Sequence, residues 1–267
     1  MCRWAAYLGA PVYLEDLVSN PNHSLIVQSK AADECKTSIN ADGFGLAWYD
    51  SRPEPGLYRD VFPAWSDPNL RSLCQQVRSG AFLAHVRAST GTAISRNNCH
   101  PFTYGKWSFV HNGQAGGYEH WRKSADMLIG EEQYMHRKGA TDSEALFLIA
   151  AGLGLEEDPI GAVEQAVAKM EALASEKGAT PHMRFAAALT DGETLYAFRY
   201  ASDDRAPTLY HRWSASRQGF AVVSEPLVEQ EEGWEAQTAG TVAVLRKGAK
   251  ELRKFGRIAS ATRPKVA

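Results

Sequence analysis

The chain has 267 residues, with 29 Lys and Arg against 31 Asp and Glu, a formal charge of −2. Hydrophobic residues at 44% and charged ones at 22% make a globular composition, which excludes a disordered or fibrous chain; the near-neutral balance argues against nucleic acid as a main partner. No run approaches the roughly 18 apolar residues of a membrane span, so no membrane partner is expected.

The N-terminus reads as a short apolar strand over residues 2–8, with too little basic and apolar character for a signal peptide. Asp42-Gly43 opens the aromatic-rich strand GFGLAWY, and Leu57 to Phe62 can return as its hairpin partner. Leu70, Leu73 and Val77 fall at helical spacing, which predicts a helix over 68–78. Ala81–Val86 and Trp107–His111 read as strands separated by a Pro- and Asn-rich loop. Thr141 and Glu144 have capping-box spacing, so a helix should start near 142 and stop around Gly152–Gly154. A second helix follows over 159–177, with Ile160, Val163, Val167 and Met170 on one face. RFAAALT, TLYAFRY, GFAVVS and TVAVLRK then read as four strands, the first two joined around Asp191-Gly192. Strands, central helices and strands again predict an α+β fold with helices covering sheets. From Gly248 the chain carries six Lys/Arg and one Glu and reads as a solvated basic tail, 248–267.

Several residues stand out chemically. Cys2 becomes the first residue if Met1 is removed, and its thiol and α-amine would then belong to one residue. An α-amine titrates near 7.7–8.0 and can take the thiol proton, so one residue supplies nucleophile and base. The plainer alternative is a small residue in a buried strand. His111-Asn112-Gly113 ends a predicted strand; Asn-Gly is a common hairpin turn, or else the Asn112 amide and the Gly113 N–H form an oxyanion hole. Arg87, in His85-Val86-Arg87, is either a surface arginine or a clamp for a carboxylate. Asp142 either complements its helix N-terminus or binds an ammonium. An Arg and an Asp facing one pocket would recognise the head of an α-amino acid.

Four cysteines (Cys2, Cys35, Cys74, Cys99) form no CxxC pair, which fits a reducing cytoplasm, and the last three read as inert thiols. The eight histidines show no helical pair, so no metal site is expected. Trp4 either walls a substrate pocket or belongs to the core.

An N-terminal Cys, an H-x-R strand end, an H-N-G strand end and a T-D-S-E helix start, in that order, resemble the glutaminase domain of class II glutamine amidotransferases. NADGFGLAWY (40–49), NNCHPF (97–102), SEPL (224–227) and GW at 233–234 extend the resemblance over residues 2–247. It implies the four-layer αββα sandwich of N-terminal-nucleophile hydrolases and no cofactor. By the same resemblance Cys2 is the nucleophile, Asn112 and Gly113 bind the oxyanion, Arg87 holds the glutamine α-carboxylate with Thr90 nearby, and Asp142 binds the α-ammonium. Asp42 and Gly43 fall where the family has a loop beside the site.

The chain departs from amino-sugar and purine enzymes of the family, which have a histidine at Gly91 and an aromatic at Ala88, positions that close the site onto an acceptor domain. It looks closer to the small stand-alone subgroup that includes the ergothioneine-pathway γ-glutamyl hydrolase, though that hydrolase has His where this chain has Trp4. The expected activity is hydrolysis of a γ-glutamyl amide through a thioester on Cys2. The alternatives are an ammonia-supplying subunit with a separate synthase partner, and a non-catalytic sensor of a γ-glutamyl compound.

Overall fold

A computed structural model describes residues 2–34, 39–89, 91–228 and 233–256. Its strands are β1 (Arg3–Tyr13), β2 (Phe44–Tyr49), β3 (Gly56–Asp60), β4 (Arg78–Val86), β5 (Phe102–Tyr104), β6 (Trp107–Ala115), β7 (Met183–Thr190), β8 (Leu195–Ala201), β9 (Tyr210–Ser214), β10 (Gly219–Val223), β11 (Glu235–Ala236), β12 (Thr241–Arg246) and β13 (Ala249–Lys254). The helices are α1 (Glu15–Val18), α2 (Leu25–Lys30), α3 (Pro68–Gln76), α4 (Tyr118–Asp126), α5 (Glu131–Tyr134), α6 (Asp142–Gly152) and α7 (Pro159–Glu176). No helix among the described residues is long and apolar enough to cross a membrane.

The strands form two antiparallel sheets, one ordered β11-β9-β10-β1-β4-β2-β3 and the other β13-β12-β8-β7-β6-β5. Alternation along each strand divides the apolar residues among three cores. Ala5 and Tyr7 of β1, with Phe82 and Ala84 of β4, pack under α1–α3. Their neighbours Trp4, Ala6, Leu8, Ala81 and Leu83 face the other way and meet Val110, Ala188 and Ala197 of the second sheet. Phe109, Phe185, Ala187 and Leu189 face outward again, beneath α4, α6 and α7. Three cores require four layers. The αββα sandwich expected from the resemblance is the observed fold.

Local chemistry sets the helix starts. Asp67 and Asp158 accept from Leu70 and Gly161 N–H, each followed by Pro at the first helical position, where a missing N–H costs nothing. Thr141 caps α6 through the Glu144 N–H at 3.1 Å. The Glu144 half of the expected capping box is absent: its carboxylate instead accepts from Lys138 N–H (3.0 Å), Gly139 N–H (2.7 Å) and Arg137 (2.7 Å). An ion pair with the buried Arg137 and two further backbone donors outcompete one local backbone bond. Helix α6 is buried on nearly every side, and its Phe147 ring lies parallel to Phe109 at 5.3 Å.

Two expectations are corrected. The basic tail does not begin at 248: β13 pairs with β12 along its whole length, and Phe255 is buried against Phe198 at 4.9 Å. The packed unit therefore runs at least to Gly256, past the expected boundary at 247. Asn112-Gly113 is not a hairpin turn either. Strand β6 continues through it to Ala115, pairing Asn112 with Ala186 and Gly113 with Phe185, because the β7 ladder outweighs the local turn preference. Residues 2–8 prove to be the first part of a longer strand, and α1, α2, α4, α5, β5, β9 and β11 were not anticipated.

Candidate active site

Strand β1 lies between β10 and β4, so the start of the chain is pinned in mid-sheet rather than left to fray. Arg3 ties it further. It is fully buried, its Nε stands 2.9 Å from Glu225, and its Nη1 donates to the Cys2 carbonyl at 3.3 Å. Glu225 also accepts from Asp33 N–H (2.9 Å), Glu34 N–H (3.1 Å) and His23 (2.5 Å). Burial would raise the Glu225 pKa, but these donors and Arg3 hold it below the usual carboxylate value. The SEPL motif thus serves the N-terminus from more than two hundred positions away.

Cys2 is half-buried, and its thiol donates to the Ala88 carbonyl at 3.5 Å. Burial pushes the thiol pKa up; the Ala88 backbone and the Arg87 charge oppose this, and the Asp142 carboxylate adds to it. At neutral pH the sulfur is therefore protonated and requires a base to become a nucleophile.

A cavity of about 340 Å³ opens on Cys2, and its walls include Arg87, Gly113 and Asp142. Arg87 follows the end of β4 and is 3% exposed. Its guanidinium donates to the Asp42 carbonyl (3.2 Å), Ser89 Oγ (3.1 Å), Thr92 Oγ1 (2.8 Å) and the Ala93 carbonyl (3.3 Å). All four acceptors are neutral, and no carboxylate among the described residues pairs with it. The Asp42-Gly43 loop does lie beside the site: Gly43 accepts the Arg87 N–H at 2.8 Å, and the Asp42 carboxylate accepts Ser89 N–H at 2.7 Å.

Asp142 begins α6. Its Oδ2 accepts Ala115 N–H (2.8 Å) and its Oδ1 accepts Ser143 N–H (2.8 Å), and the helix N-terminus favours the anion. No cation among the described residues pairs with it. One buried positive and one negative side chain thus face the same cavity, oriented by neutral groups and free for ligand charges.

The structure separates the Asn112-Gly113 pair. Gly113 borders the cavity, and a Cβ there would sit 1.9 Å from the Arg184 carbonyl oxygen, so only glycine lets β6 and β7 approach this closely. Asn112 is 1% exposed and set behind the wall, opposite Ala186, whose carbonyl accepts the Trp4 indole N–H at 3.2 Å. Neither of its amide atoms bonds to protein among the described residues. Trp4 is fully buried in the core between the sheets, so it is not a cavity wall. Cys74 and Cys99 are buried thiols raised to about 12 and about 11 by burial, matching the inert reading. Thr90 and Cys35 lie outside the described residues.

Sequence reasoning missed three buried histidines. His111 places Nδ1 2.8 Å from Ser143 Oγ and Nε2 3.2 Å from the Arg184 carbonyl. The carbonyl requires the proton on Nε2, and Nδ1 then accepts from Ser143. The His85 and His100 rings meet at 4.2 Å, tilted by 31°. Burial lowers the pKa of all three, to about 3 for His85. They are neutral in the fold but take protons once unfolded, so their contribution is complete above about pH 6.5 and lost as pH falls below it; for His85, held at about 3, the loss is about 1.4 kcal/mol per pH unit. Urea titrations from pH 7 downward are expected to show the midpoint dropping well before the carboxylates titrate. A flat midpoint to about pH 4.5 would contradict the neutral assignment.

The family model for class-II glutamine amidotransferases matches residues 17–206. Among solved structures, a glutamine aminotransferase class-II domain protein from Silicibacter pomeroyi is 48% identical, with a TM-score of 0.78 over 96% of this chain and 100% of that one. A probable glutamine amidotransferase of Saccharomyces cerevisiae is 30% identical over 92% of this chain and 82% of its own length. The gamma-glutamyl-hercynylcysteine sulfoxide hydrolase of Mycolicibacterium smegmatis is 40% identical over a shorter stretch, 42% of this chain and 51% of that protein.

Proposed function

The chain belongs to the class II glutamine amidotransferases, and from that premise we propose that it hydrolyses a γ-glutamyl amide through a thioester on Cys2. The observation that carries this reading is the placing of unpaired Arg87 and Asp142 in one cavity with the Cys2 sulfur. That arrangement fits the α-carboxylate and α-ammonium of a γ-glutamyl group, leaving its far carbonyl for the thiol.

In this reading Met1 is removed and the Cys2 α-amine takes the thiol proton, which the raised thiol pKa makes necessary. Sulfur attacks the γ-carbonyl. The oxyanion is met by the Gly113 backbone N–H and by the Asn112 amide, whose donors are unspent. The ammonium formed on Cys2 protonates the departing amine, the C–N bond breaks, and a γ-glutamyl thioester remains. Water attacks that thioester, its proton passes to the amine, and glutamate leaves as the thiol re-forms. Thr90, which follows Ser89 in the sequence, is proposed as a further substrate contact. The soluble γ-glutamyl compound, a cytoplasmic setting and the lack of any cofactor belong to the same proposal.

Intact mass spectrometry with a glutamine-analogue electrophile tests it. The expected result is a protein lighter by one methionine that gains a single adduct on Cys2. Retention of Met1 with no adduct would remove the mechanism and leave a binding protein.

A further inference from the structure

The adjoining imidazoles of His85 and His100 have no part in the chemistry described so far. His85 belongs to β4, opposite Trp4 on β1 and Gly45 on β2, and His100 lies in the loop after the short 3-10 turn at 96–98. Gly45 admits that loop: a Cβ there would meet the His100 carbonyl at 2.2 Å. The His100 ring also meets Phe102 at 4.5 Å, tilted by 57°, and it borders the Cys2 cavity. Both residues are buried; His85 faces the His111 backbone, whereas neither ring nitrogen of His100, 4% exposed, bonds to protein among the described residues.

Buried nitrogens left without a partner are unfavourable, and those of His100, on the cavity wall, can be satisfied by a molecule bound in the cavity. The chemistry of that ligand is constrained. A neutral imidazole offers one N–H and one lone pair, so His100 presents a donor and an acceptor together and no charge. Burial and the nearby Arg87 charge keep protons off both rings, which suits neither an anion nor a general base. A small neutral molecule that both donates and accepts is a water.

We propose that His100, which borders the cavity, holds the water that releases glutamate from the Cys2 thioester, an inference that rests on the hydrolytic reading of the site. A ring lone pair accepts one water O–H and fixes the oxygen beside the cavity. A water lone pair forms the new C–O bond, the C–S bond breaks, and the water proton goes to the Cys2 α-amine and then to sulfur. His100 orients the nucleophile and takes no proton.

The test separates the two half-reactions, using γ-glutamyl-p-nitroanilide with hydroxylamine as a competing nucleophile that needs no held water. His100→Phe keeps the ring contacts and removes both nitrogens. Its deacylation is expected to slow about tenfold or more with acylation little changed, giving a burst of p-nitroaniline and a matching rise in the hydroxamate fraction. His100→Gln, which retains a donor and an acceptor, should bring that fraction most of the way back. An unchanged hydroxamate fraction in His100→Phe, whatever the fall in rate, overturns the proposal. If that variant does not fold, His100→Leu carries the same expectation and the same refutation. Wild-type protein that releases no p-nitroaniline would instead defeat the hydrolytic reading itself.

Discussion

Replacing Cys2 by alanine is expected to abolish release of glutamate from glutamine or a γ-glutamyl compound, by about 10⁴-fold or more, while the protein stays folded. Loss of the sulfur removes the attacking atom, and no other thiol among the described residues lines the cavity. The fold should tolerate the change because Cys2 contributes one long thiol contact to Ala88, whereas the strand is held by Arg3, β10 and β4. Cys2→Ser should retain only a trace, since a hydroxyl gives up its proton less readily than a thiol. The companion expectation concerns the amine. Protein made in cells that cannot remove Met1 should be inactive despite an intact sulfur, because the base would sit one residue too far away. Turnover by Cys2→Ala close to that of the wild type would end the assignment.

Arg87→Lys is expected to raise KM by about 30- to 100-fold with a smaller change in kcat, equivalent to about 2–3 kcal/mol of lost charge-assisted hydrogen bonding. Lysine keeps the charge but not the fork that can bond to Asp42, Thr92 and a substrate carboxylate at once. Asp142→Asn gives a sharper discrimination. It should weaken turnover of glutamine strongly but that of glutaramic acid, which has no α-ammonium, much less. Steady-state kinetics on the two amides measure this directly. Equal losses on both would mean that Asp142 acts through its Ala115 and Ser143 backbone bonds and not on substrate charge.

Much of this site was legible because its parts announce themselves locally. Cys2 is marked by its position, Arg87 by a strand end and Asp142 by a helix start. Each is placed by a single element, and the structure brings all three to one cavity. Asn112-Gly113 was harder: its dipeptide favours a turn, and only pairing with Ala186 and Phe185, some seventy residues on, keeps it extended. The same limit hid Arg3 with Glu225 and the His85–His100 contact, partners that share no periodicity or spacing. Among the elements, the strands dense in aliphatic and aromatic residues were readable from pattern, as were the helices α3, α6 and α7 with their Asp or Thr caps. Helix α4 escaped because its first turn has no capping side chain; Gly117, at φ 63°, supplies the turn instead. Strand β13 escaped because its sequence, AKELRK, is charged at four of its six positions and is recruited by β12.

That last strand also bears on how the molecule behaves at high concentration. β13 forms a rim of the smaller sheet, and among the described residues no strand pairs with its outer side. All six of its residues are exposed, and Lys250, Glu251, Arg253 and Lys254 crowd them with charge. A neighbouring molecule trying to extend the sheet would have to strip water from those side chains, and the surplus of positive charge repels an identical copy. The chemistry that disguised the strand as a tail is therefore what keeps an open sheet margin from seeding aggregates.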